Sequence, residues 1–417
     1  MTDIKARPEH DVRMQGFARR HTVQAALAWL DSQLHPLDAE DVPLRMAAGR
    51  VLATPIVSGV DVPGFDRATM DGYAVVADST EGATPYNRVP LTVVGDALPG
   101  SGFTATLASG EAVRIMTGAP IPVGSDAVLP AEWVEADTDD RGHIAAIAAV
   151  SRGKNIGCRG EDVVRGTTLL DAGRVLRPQD LGVMSSIGLA AASVVGRPRV
   201  RLVITGNELL PSGSAPHGFR ITDANGPMLA ALAERDGAIV DFPGLVADDA
   251  DAILAALHAT ADVVIVSGGS SVGIEDLAPT LLAKHGELAV HGIAMRPSSP
   301  TGMGTLGRRL IFLLPGNPVS ALCAYDFFAG RAIRVLGGHP LAWPYRSVRG
   351  TLARKISSPI GRLDYARVTI EGGMVEPLSV AGASVLSSTT RAHGFVIVGD
   401  DSEGFAAGSE VDVFLYA

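Results

Sequence analysis

After Pro198 the chain alternates short apolar segments with helical ones, and this alternation restricts the possible folds more than any other feature. The segments are, in order, VRLVITG, PMLAALAERDG, AIVDFPGLV, DDADAILAALHAT, DVVIVSGG, EDLAPTLLAKHG, ELAVHGIAM and LIFLLPG. Strands that alternate with helices predict a largely parallel sheet covered by helices. In such sheets ligands bind outside the carboxyl ends of the strands, so we expect a ligand site at that edge.

Glycine-rich turns follow three of the predicted strands in this region. Backbone N–H groups on such turns can approach anions closely. One such turn is more often an ordinary loop, but three in the same position relative to their strands indicate a site for a phosphorylated small molecule. The turns are Thr205-Gly-Asn-Glu208, Ser267-Gly-Gly-Ser-Ser-Val-Gly273 and Leu314-Pro-Gly-Asn-Pro-Val-Ser320.

Two short motifs in this region match catalytic or nucleotide-binding patterns, and both have a simpler explanation. Gly269-Ser-Ser-Val-Gly273 fits the serine elbow of a hydrolase, but the candidate triad partners Asp326 and His339 lie on or beside a predicted helix rather than on loops. Gly302-Met-Gly-Thr-Leu-Gly307 fits a dinucleotide motif but precedes a strand. We therefore interpret the first as a chance match and the second as a hairpin turn.

Carboxylates collect beside the glycine-rich turns: Glu208, Asp248, Asp249, Glu275 and Asp276. Helix capping explains them singly, because Asp248 or Asp249 can cap the following helix and Asp276 falls in a first helical turn. As a set they can also hold Mg²⁺ against a phosphate, since Mg²⁺ prefers a few carboxylates and ligand oxygens. Capping alone and capping with metal binding remain equally open.

The rest of the chain divides by pattern. Thr22 followed by VQAALAWLDSQL predicts a capped helix, and residues 50–165 alternate short apolar segments with Gly, Pro and Asp turns, which predicts a β-rich module. Asn317 and Pro318 predict the cap and first position of a helix that continues to Leu336. A small C-terminal β-domain is expected after that helix.

Bulk properties exclude several classes of protein. The formal net charge is -10 and no Lys/Arg cluster occurs, which argues against nucleic acid as a partner. Cys158 and Cys323 have neither disulfide-framework nor zinc-site spacing. The polar N-terminus and short apolar runs predict neither secretion nor membrane insertion, so we expect a cytoplasmic protein.

Ordered motifs along the whole chain carry a family resemblance. PGFDRATMDGYAV, RIMTGAP, RGED, TGNEL, SGGSSVG with Asp276, LPGNPVSA and GRLDYARV occur in this order. The chain thereby resembles the MoeA family of molybdopterin molybdenumtransferases and the E domain of gephyrin. The resemblance covers residue 14 to the C-terminus.

The resemblance implies an elongated homodimer of four-domain subunits that inserts molybdate into adenylylated molybdopterin and releases AMP. It implies that the β-rich part of one subunit can complete the other subunit's site, and it makes the molybdopterin adenylyltransferase a candidate partner. The expected parts are an α/β ligand-binding domain (14–33 and 198–340), an extended connecting domain (34–51 and 166–197), a β-rich domain (52–165) and a C-terminal β-barrel-like domain (341–417).

Site residues are carried over from the family motifs position by position. The expected catalytic residues are Asp66, Thr117, Asp162, Glu208, Asp248 and Asp276, of which Asp248 and Asp276 are the expected Mg²⁺ ligands. The expected contacts to the pterin, the nucleotide and molybdate are Thr205, Gly206, Ser267, Gly268, Gly269, Ser271, Gly273, Arg296, Pro315, Gly316, Asn317, Ser320, Arg362, Arg367 and Ser384.

The chain departs from the family pattern at four places. Arg296-Pro-Ser-Ser-Pro300 stands where the family has Lys-Pro-Gly-Lys-Pro, so one of two cations is lost. Asn207 replaces an aspartate, Ala383 replaces a serine for which Ser384 can substitute, and Arg67-Ala-Thr69 replaces Asn-Ser-Ala. These departures leave two hypotheses: a working transferase, favoured by the retained acids, or a non-catalytic paralogue that binds a pterin, a nucleotide phosphate or a protein.

Overall fold

The computed structural model describes residues 20–136, 142–268, 277–379 and 384–416. The chain divides into two compact units. The larger unit comprises residues 1–41, 49–53 and 193–417, and the smaller unit comprises 42–48 and 54–192. Among the described helices, none is long and apolar enough to cross a membrane.

Short strands make up most of the regular secondary structure, and helices lie between them. The strands are β1 (Ala39–Pro43), β2 (Ile56–Val57), β3 (Arg67–Ala68), β4 (Gly72–Val75), β5 (Val89–Ala97), β6 (Glu111–Ile115), β7 (Ala127–Pro130), β8 (Val134–Ala136), β9 (His143–Ala146), β10 (Ile156–Gly157), β11 (Thr168–Leu170), β12 (Ala191–Val195), β13 (Arg199–Thr205), β14 (Leu209–Leu210), β15 (Ile221–Thr222), β16 (Ile239–Asp241), β17 (Leu245–Val246), β18 (Val263–Ser267), β19 (Glu287–His291), β20 (Met295–Arg296), β21 (Gly302–Leu306), β22 (Arg309–Leu314), β23 (Ser347–Leu352), β24 (Ile356–Ser357), β25 (Leu363–Glu371), β26 (Met374–Ser379), β27 (Gly394–Val398), β28 (Gly404–Phe405) and β29 (Glu410–Leu415). The α-helices are α1 (Val23–Gln33), α2 (Pro178–Ser186), α3 (Asn225–Arg235), α4 (Ala250–Leu257), α5 (Leu277–His285), α6 (Pro318–Ala324), α7 (Gly330–Leu336) and α8 (Ser387–Arg391).

The central sheet of the larger unit has the strand order β16-β13-β18-β22-β21-β19, with β17 also paired to β13. Strands β16, β13, β18 and β22 are parallel, which confirms the predicted α/β architecture. Strand β21 forms a hairpin with β22 and runs antiparallel to both β22 and β19, so the sheet is mixed at this edge. The Gly302–Gly307 motif therefore forms strand β21 as well as the turn. Only glycine fits at position 304, because the Cβ of any other residue would lie 1.8 Å from the Glu287 carbonyl oxygen.

Both faces of this sheet are covered by helices, as the near-continuous apolar strands require. Strand β18 is buried at all five positions, so its alternate side chains enter two different cores. Thr22 caps α1 as predicted, because its side-chain oxygen accepts a hydrogen bond from the Ala25 N–H. One core includes Val23, Leu30, Leu202 and Ile265, and the other includes Val203, Ile253, Val264 and Leu282.

The helix expected after Asn317 is interrupted. It consists of α6, a π-helical turn over Tyr325–Ala329, and α7, whereas the sequence predicted one regular helix. Asn317 occupies the N-cap position, but its side chain makes no capping hydrogen bond. The predicted N-cap position is therefore confirmed without a side-chain capping hydrogen bond, and Asn317 also lines the cavity at the end of the sheet.

The C-terminal region forms a closed β-barrel, in agreement with the prediction. Its strand order is β20-β25-β26-β23-β29-β27, and an additional β25–β27 pairing closes the ring. Strand β20 joins this sheet by parallel pairing, with Arg296 opposite Asp364. The barrel thereby includes a strand that precedes β21 of the central sheet, so the two sheets are joined within the larger unit.

The smaller unit is rich in strands, as the short apolar segments predicted. Its main sheet has the order β7-β4-β6-β5-β9-β8, and β3 pairs with β10 and β2 with β11. Asp180 in the first turn of α2 is almost fully buried and accepts hydrogen bonds from Arg174 and Arg177. Hydrogen bonds from these two guanidinium groups, with the larger effect from Arg177, hold the pKa of Asp180 well below its usual range.

A buried carboxylate lies where the π-helical turn packs against the barrel. Asp326 is 2% exposed, and its oxygens accept hydrogen bonds from the hydroxyls of Tyr345 at 2.7 Å and Tyr365 at 3.2 Å. Arg235 lies 3.9 Å from the same carboxylate. Burial raises the pKa of Asp326 to about 6, although the tyrosine hydrogen bonds and the charge of Arg235 act in the opposite direction.

We expect Asp326→Asn to flatten the pH dependence of stability between about pH 4 and pH 6. The folded-state pKa is raised above the ordinary value of 3.8, so the folded chain binds this proton more tightly than the unfolded chain. The resulting stabilisation is fully present below about pH 4 and is lost as the pH rises towards 6, with a size on the order of 3 kcal/mol. Urea unfolding of both proteins across this range measures the effect, and a constant difference between them would contradict it.

Candidate functional site

Three strand ends lie side by side at the carboxyl edge of the central sheet. In the parallel register Ile204 pairs with Ser267, and Ser267 pairs with Leu314. The described parts of the three glycine-rich turns therefore begin at adjacent positions, as the sequence predicted. This edge is where open α/β sheets bind ligands.

A cavity of about 260 Å³ opens at this edge. Its apolar lining includes Ile204 and Leu209, and its charged lining consists of the carboxylates Glu208 and Asp223, with no Lys or Arg among the described lining residues. Seven of the predicted site residues line it: Thr205, Glu208, Ser267, Gly268, Gly316, Asn317 and Ser384.

Gly268 belongs to this wall for a steric reason. Its backbone has a φ of +100°, which side chains rarely adopt, and a Cβ there would lie 2.0 Å from the Thr205 carbonyl oxygen. The turn after β18 therefore approaches the turn after β13 as backbone against backbone. A glycine at this position is what allows the two strand ends to meet.

Asn225, the first residue of α3, connects two of the turns. Its Nδ2 donates to the hydroxyl of Ser267 at 2.9 Å and to the carbonyl oxygen of Gly316 at 2.7 Å. Asn225 is 7% exposed, and Asp223 just before it accepts a hydrogen bond from the Gly226 N–H at 2.9 Å. Neither residue is predictable from sequence, because nothing in the local sequence shows which distant turns Asn225 contacts.

Asp248 and Asp249 have different roles. Asp249 caps α4, since its carboxylate accepts from the Ala252 N–H at 2.9 Å. Asp248 is half-buried and accepts from the Thr205 hydroxyl at 3.0 Å instead. The sequence left the cap open between the two acids, and the structure assigns it to Asp249, so Asp248 is available for the site at the end of β13.

A second polar group joins the central sheet to the barrel. The fully buried Asp364 accepts hydrogen bonds from Arg296 and, at 3.0 Å, from Arg362 Nε. Two cations thus share one carboxylate, which leaves a net charge of one positive unit. Ser299 has a buried hydroxyl without a hydrogen-bond partner among the described residues.

Other predicted anion contacts lie within packed structure. Ser320 is 3% exposed in α6, and its carbonyl oxygen accepts from the Ser298 hydroxyl at 2.6 Å. Arg367 is 1% exposed in β25. None of Arg296, Ser320, Arg362 and Arg367 belongs to the described lining of the cavity.

In the smaller unit the structure brings together the three motif segments that the sequence singled out. Asp66 accepts from the Arg159 N–H at 2.7 Å, and the Ile121 N–H donates to the Asp66 carbonyl oxygen at 3.0 Å. The Asp162 N–H donates to the Val62 carbonyl oxygen at 3.0 Å. Residues 62–73, 116–121 and 158–163 therefore lie together on one surface, which carries the exposed acids Asp66, Asp71 and Asp162 beside Arg67 and Arg159 and which we call the acidic face.

Asp71 is a functional candidate on the acidic face that sequence analysis did not single out. Its Oδ1 accepts two hydrogen bonds from Thr117, from the backbone N–H and from the hydroxyl, both at 2.7 Å. These hydrogen bonds, the backbone one first, hold the pKa of Asp71 below its usual value. Because the Thr117 hydroxyl donates its proton to Asp71, it is free only to accept from a ligand.

Several predicted residues lie outside the described part of the chain: Gly269, Ser271, Gly273 and Asp276, together with the substituted Ala383. Their roles stay predictions. Within the described residues, no group of three or more His, Cys, Asp and Glu side chains is placed to hold a metal ion.

Comparisons with known proteins agree along the whole chain. A model of the MoeA N-terminal region (domain I and II) matches residues 21–188, a probable molybdopterin binding domain matches 201–334, and the MoeA C-terminal region (domain IV) matches 349–416. Molybdopterin molybdenumtransferase 2 of Mycobacterium tuberculosis is 36% identical over 385 residues, which cover 89% of this chain and 94% of that protein.

Two further relatives extend the comparison. The molybdopterin molybdenumtransferase of Staphylococcus aureus is 31% identical over 401 residues, covering 94% of this chain and 95% of that protein. The crystal structure of the molybdopterin biosynthesis MoeA protein from Pyrococcus horikoshii is 31% identical, with a TM-score of 0.76, and covers 95% of this chain and 100% of that one.

Proposed function

The chain belongs to the MoeA family, and we propose that it inserts molybdate into adenylylated molybdopterin in the cytoplasm and releases AMP. The cavity at the ends of β13, β18 and β22 carries this proposal, since all of its described lining residues except Ser384 lie within the segment that matches a molybdopterin binding domain. Relatives named for the activity cover nearly the whole chain, which favours the enzyme over a non-catalytic paralogue.

The residues at the strand ends fit a role in holding the adenylate linkage. Glu208 is an exposed residue that lines the cavity, and Thr205 of the same lining donates a hydrogen bond from its hydroxyl to Asp248. We propose that these acids orient the water that attacks the linkage. Thr205 would position Asp248, since the hydroxyl donates to one carboxylate oxygen only.

The donor chemistry at this edge also fits Mg²⁺. Asp248 keeps a second carboxylate oxygen, and the cavity lining includes the carboxylates of Glu208 and Asp223; oxygen ligands are the ones that Mg²⁺ prefers. We propose that Asp248 and Asp276 would hold the ion. When bound, Mg²⁺ would supply positive charge against the phosphates.

Arg296 and Arg362 are our proposed contacts for molybdate. Their shared carboxylate, Asp364, neutralises only one of the two guanidinium charges. A guanidinium fork suits an oxyanion, and one remaining positive charge supports weak binding of such a substrate. The serine at position 299 supplies no charge, so we expect this chain to bind molybdate less tightly than relatives that carry lysine there.

We also propose that the protein is a homodimer in which the acidic face serves the partner copy's site, with the molybdopterin adenylyltransferase as supplier of the substrate. Large apolar side chains on this face are substantially exposed, namely Phe65 at 47%, Met70 at 37% and Met116 at 40%. Such exposed apolar groups are typical of interaction surfaces. Light scattering of the full chain tests this proposal, and a monomer at working concentrations would overturn it.

Asp71→Ala should reduce the rate of AMP release about tenfold, because Thr117 would lose the acceptor that fixes its hydroxyl. Asp71→Asn keeps an acceptor oxygen and should retain most of the rate. The comparison is made by single-turnover kinetics at saturating substrate. Equal losses in the two variants would show that charge, rather than the orientation of Thr117, is what Asp71 provides.

The proposed function is tested by incubating the purified protein with adenylylated molybdopterin, molybdate and Mg²⁺. AMP release that depends on molybdate, together with molybdenum bound to the pterin product, is the expected result. Tight binding of the adenylylated pterin without AMP release would instead identify the non-catalytic paralogue.

A further inference from the structure

The cavity at the strand ends is chemically one-sided. Its charged lining residues are Glu208 and Asp223, and its described lining contains no Lys or Arg. Carboxylates accept hydrogen bonds and repel anions, so this lining suits the donor side of a ligand better than a bare phosphate. A volume of about 260 Å³ lies below the range of pockets that enclose whole drug-sized ligands, so one ring system fits better than the complete substrate.

Asn225 provides an independent observation in the same cavity. A carbonyl oxygen can only accept, so the hydrogen bond to Gly316 fixes the amide nitrogen of Asn225 on that side. The other end of the amide, Oδ1, is buried and has no hydrogen-bond partner among the described residues. Buried acceptors are rarely left unpaired, because burial removes the hydrogen bond to water and an unpaired acceptor gains no other hydrogen bond in its place.

We propose that this cavity receives the amine-bearing edge of a flat heteroaromatic ring, and that Asn225 Oδ1 accepts a hydrogen bond from the exocyclic amino N–H of that edge. The proposal rests on the proposed function, because adenylylated molybdopterin carries two such edges, one on the aminopterin and one on the adenine. Asp223 provides a further acceptor for the same edge. Asn225 is thereby a specificity-determining residue, and its hydrogen bonds also join the turns at Ser267 and Gly316.

Two matched pairs of probes test the proposal with the full chain. AMP is compared with IMP, which lacks the exocyclic amine, and pterin-6-carboxylate is compared with lumazine-6-carboxylate, in which a carbonyl replaces the amine. We expect calorimetry to show at least about tenfold tighter binding of the amine-bearing member of one pair. The pair that discriminates identifies the ring, and equal affinity within both pairs would overturn the proposal.

A variant of Asn225 distinguishes ligand recognition from a structural role in joining the two turns. Asn225→Ala should bring the discrimination ratio close to one, whereas a merely structural role would weaken both members of a pair alike and leave the ratio unchanged. Asn87→Ala is the matched control, since Asn87 donates to the Gly82 carbonyl oxygen in the smaller unit and should leave the ratio intact. If Asn225→Ala fails to fold, the affinity ratios within the two probe pairs, measured on the unmodified protein, still test the proposal.

The same preparation distinguishes failure of this proposal from failure of the proposed function. AMP release without amine discrimination leaves the transferase standing and removes the role of Asn225 in recognition. Amine discrimination without AMP release leaves the cavity assignment standing and removes the transferase.

Discussion

Asp248→Asn should lower the rate of AMP release by about a hundredfold or more while the protein stays folded. Asparagine keeps the volume of the side chain and an oxygen that can accept from Thr205, but it loses the negative charge. A carboxylate that orients water or holds Mg²⁺ at a phosphate acts mainly through that charge, and loss of such electrostatic groups is typically worth two to three orders of magnitude, about 10²–10³. Single-turnover AMP release, measured over a range of Mg²⁺ concentrations, tests this expectation.

The neighbouring acid provides a closely matched control. Asp249→Asn makes the same chemical change one residue away, at the cap of α4. Asparagine and aspartate are about equally good N-caps, so stability and AMP release should remain close to those of the unmodified protein. Equal rate losses in the two variants, or a normal rate in Asp248→Asn, would remove Asp248 from the proposed site.

The position of the site was predictable from sequence because it follows from strand direction. The apolar run Val263–Ser267 is buried throughout, and such runs between helices predict parallel strands. Once the strands are parallel, the turns that follow them must share one edge, whatever the details of packing. The same reasoning placed Thr205, Gly268 and Gly316 together before any contact was known.

The chemistry inside the site was less predictable, because it depends on pairs far apart in the sequence. Asn225 contacts Ser267 and Gly316, 42 and 91 residues away, and no local pattern specifies such contacts. The contact of Asp71 with Thr117 follows from the strand register. Asp71 directly precedes β4, and the pairing of Gly72 with Ile115 brings it to Thr117. Predicting that contact requires the strand register, which the alternation of apolar residues alone does not provide.

The interrupted helix shows a different limit. The sequence of α6, the π-helical turn and α7 is apolar with helical spacing, so it predicts a helix of the correct length. The π-helical turn places Asp326 against Tyr365 of β25 and Tyr345 just before β23, a tertiary arrangement that helical periodicity does not report. Helical propensity therefore predicted the element and not the turn within it.

Asp364→Ala should destabilise the protein by about 3 kcal/mol or more, because it removes the shared carboxylate of Arg296 and Arg362. Asp364 is fully buried, and the side chains of its partners are 32% and 28% exposed, so both cations would be left partly desolvated without a counter-charge. Breaking a buried ion pair from one side is far more costly than losing an exposed one. The free energy of urea unfolding measures the effect.

An exposed pair in the same barrel gives the reference for this experiment. Arg349 and Asp412 have side chains 76% and 57% exposed, so Asp412→Ala should change stability by about 1 kcal/mol at most. The double variant Arg296→Ala/Asp364→Ala should be less destabilised than the sum of the single changes, since it also removes one of the stranded cations. Additive losses would show that the ion pair with Asp364 does not stabilise Arg296. The guanidinium would then be held for another partner, and molybdate would be the first ligand to test.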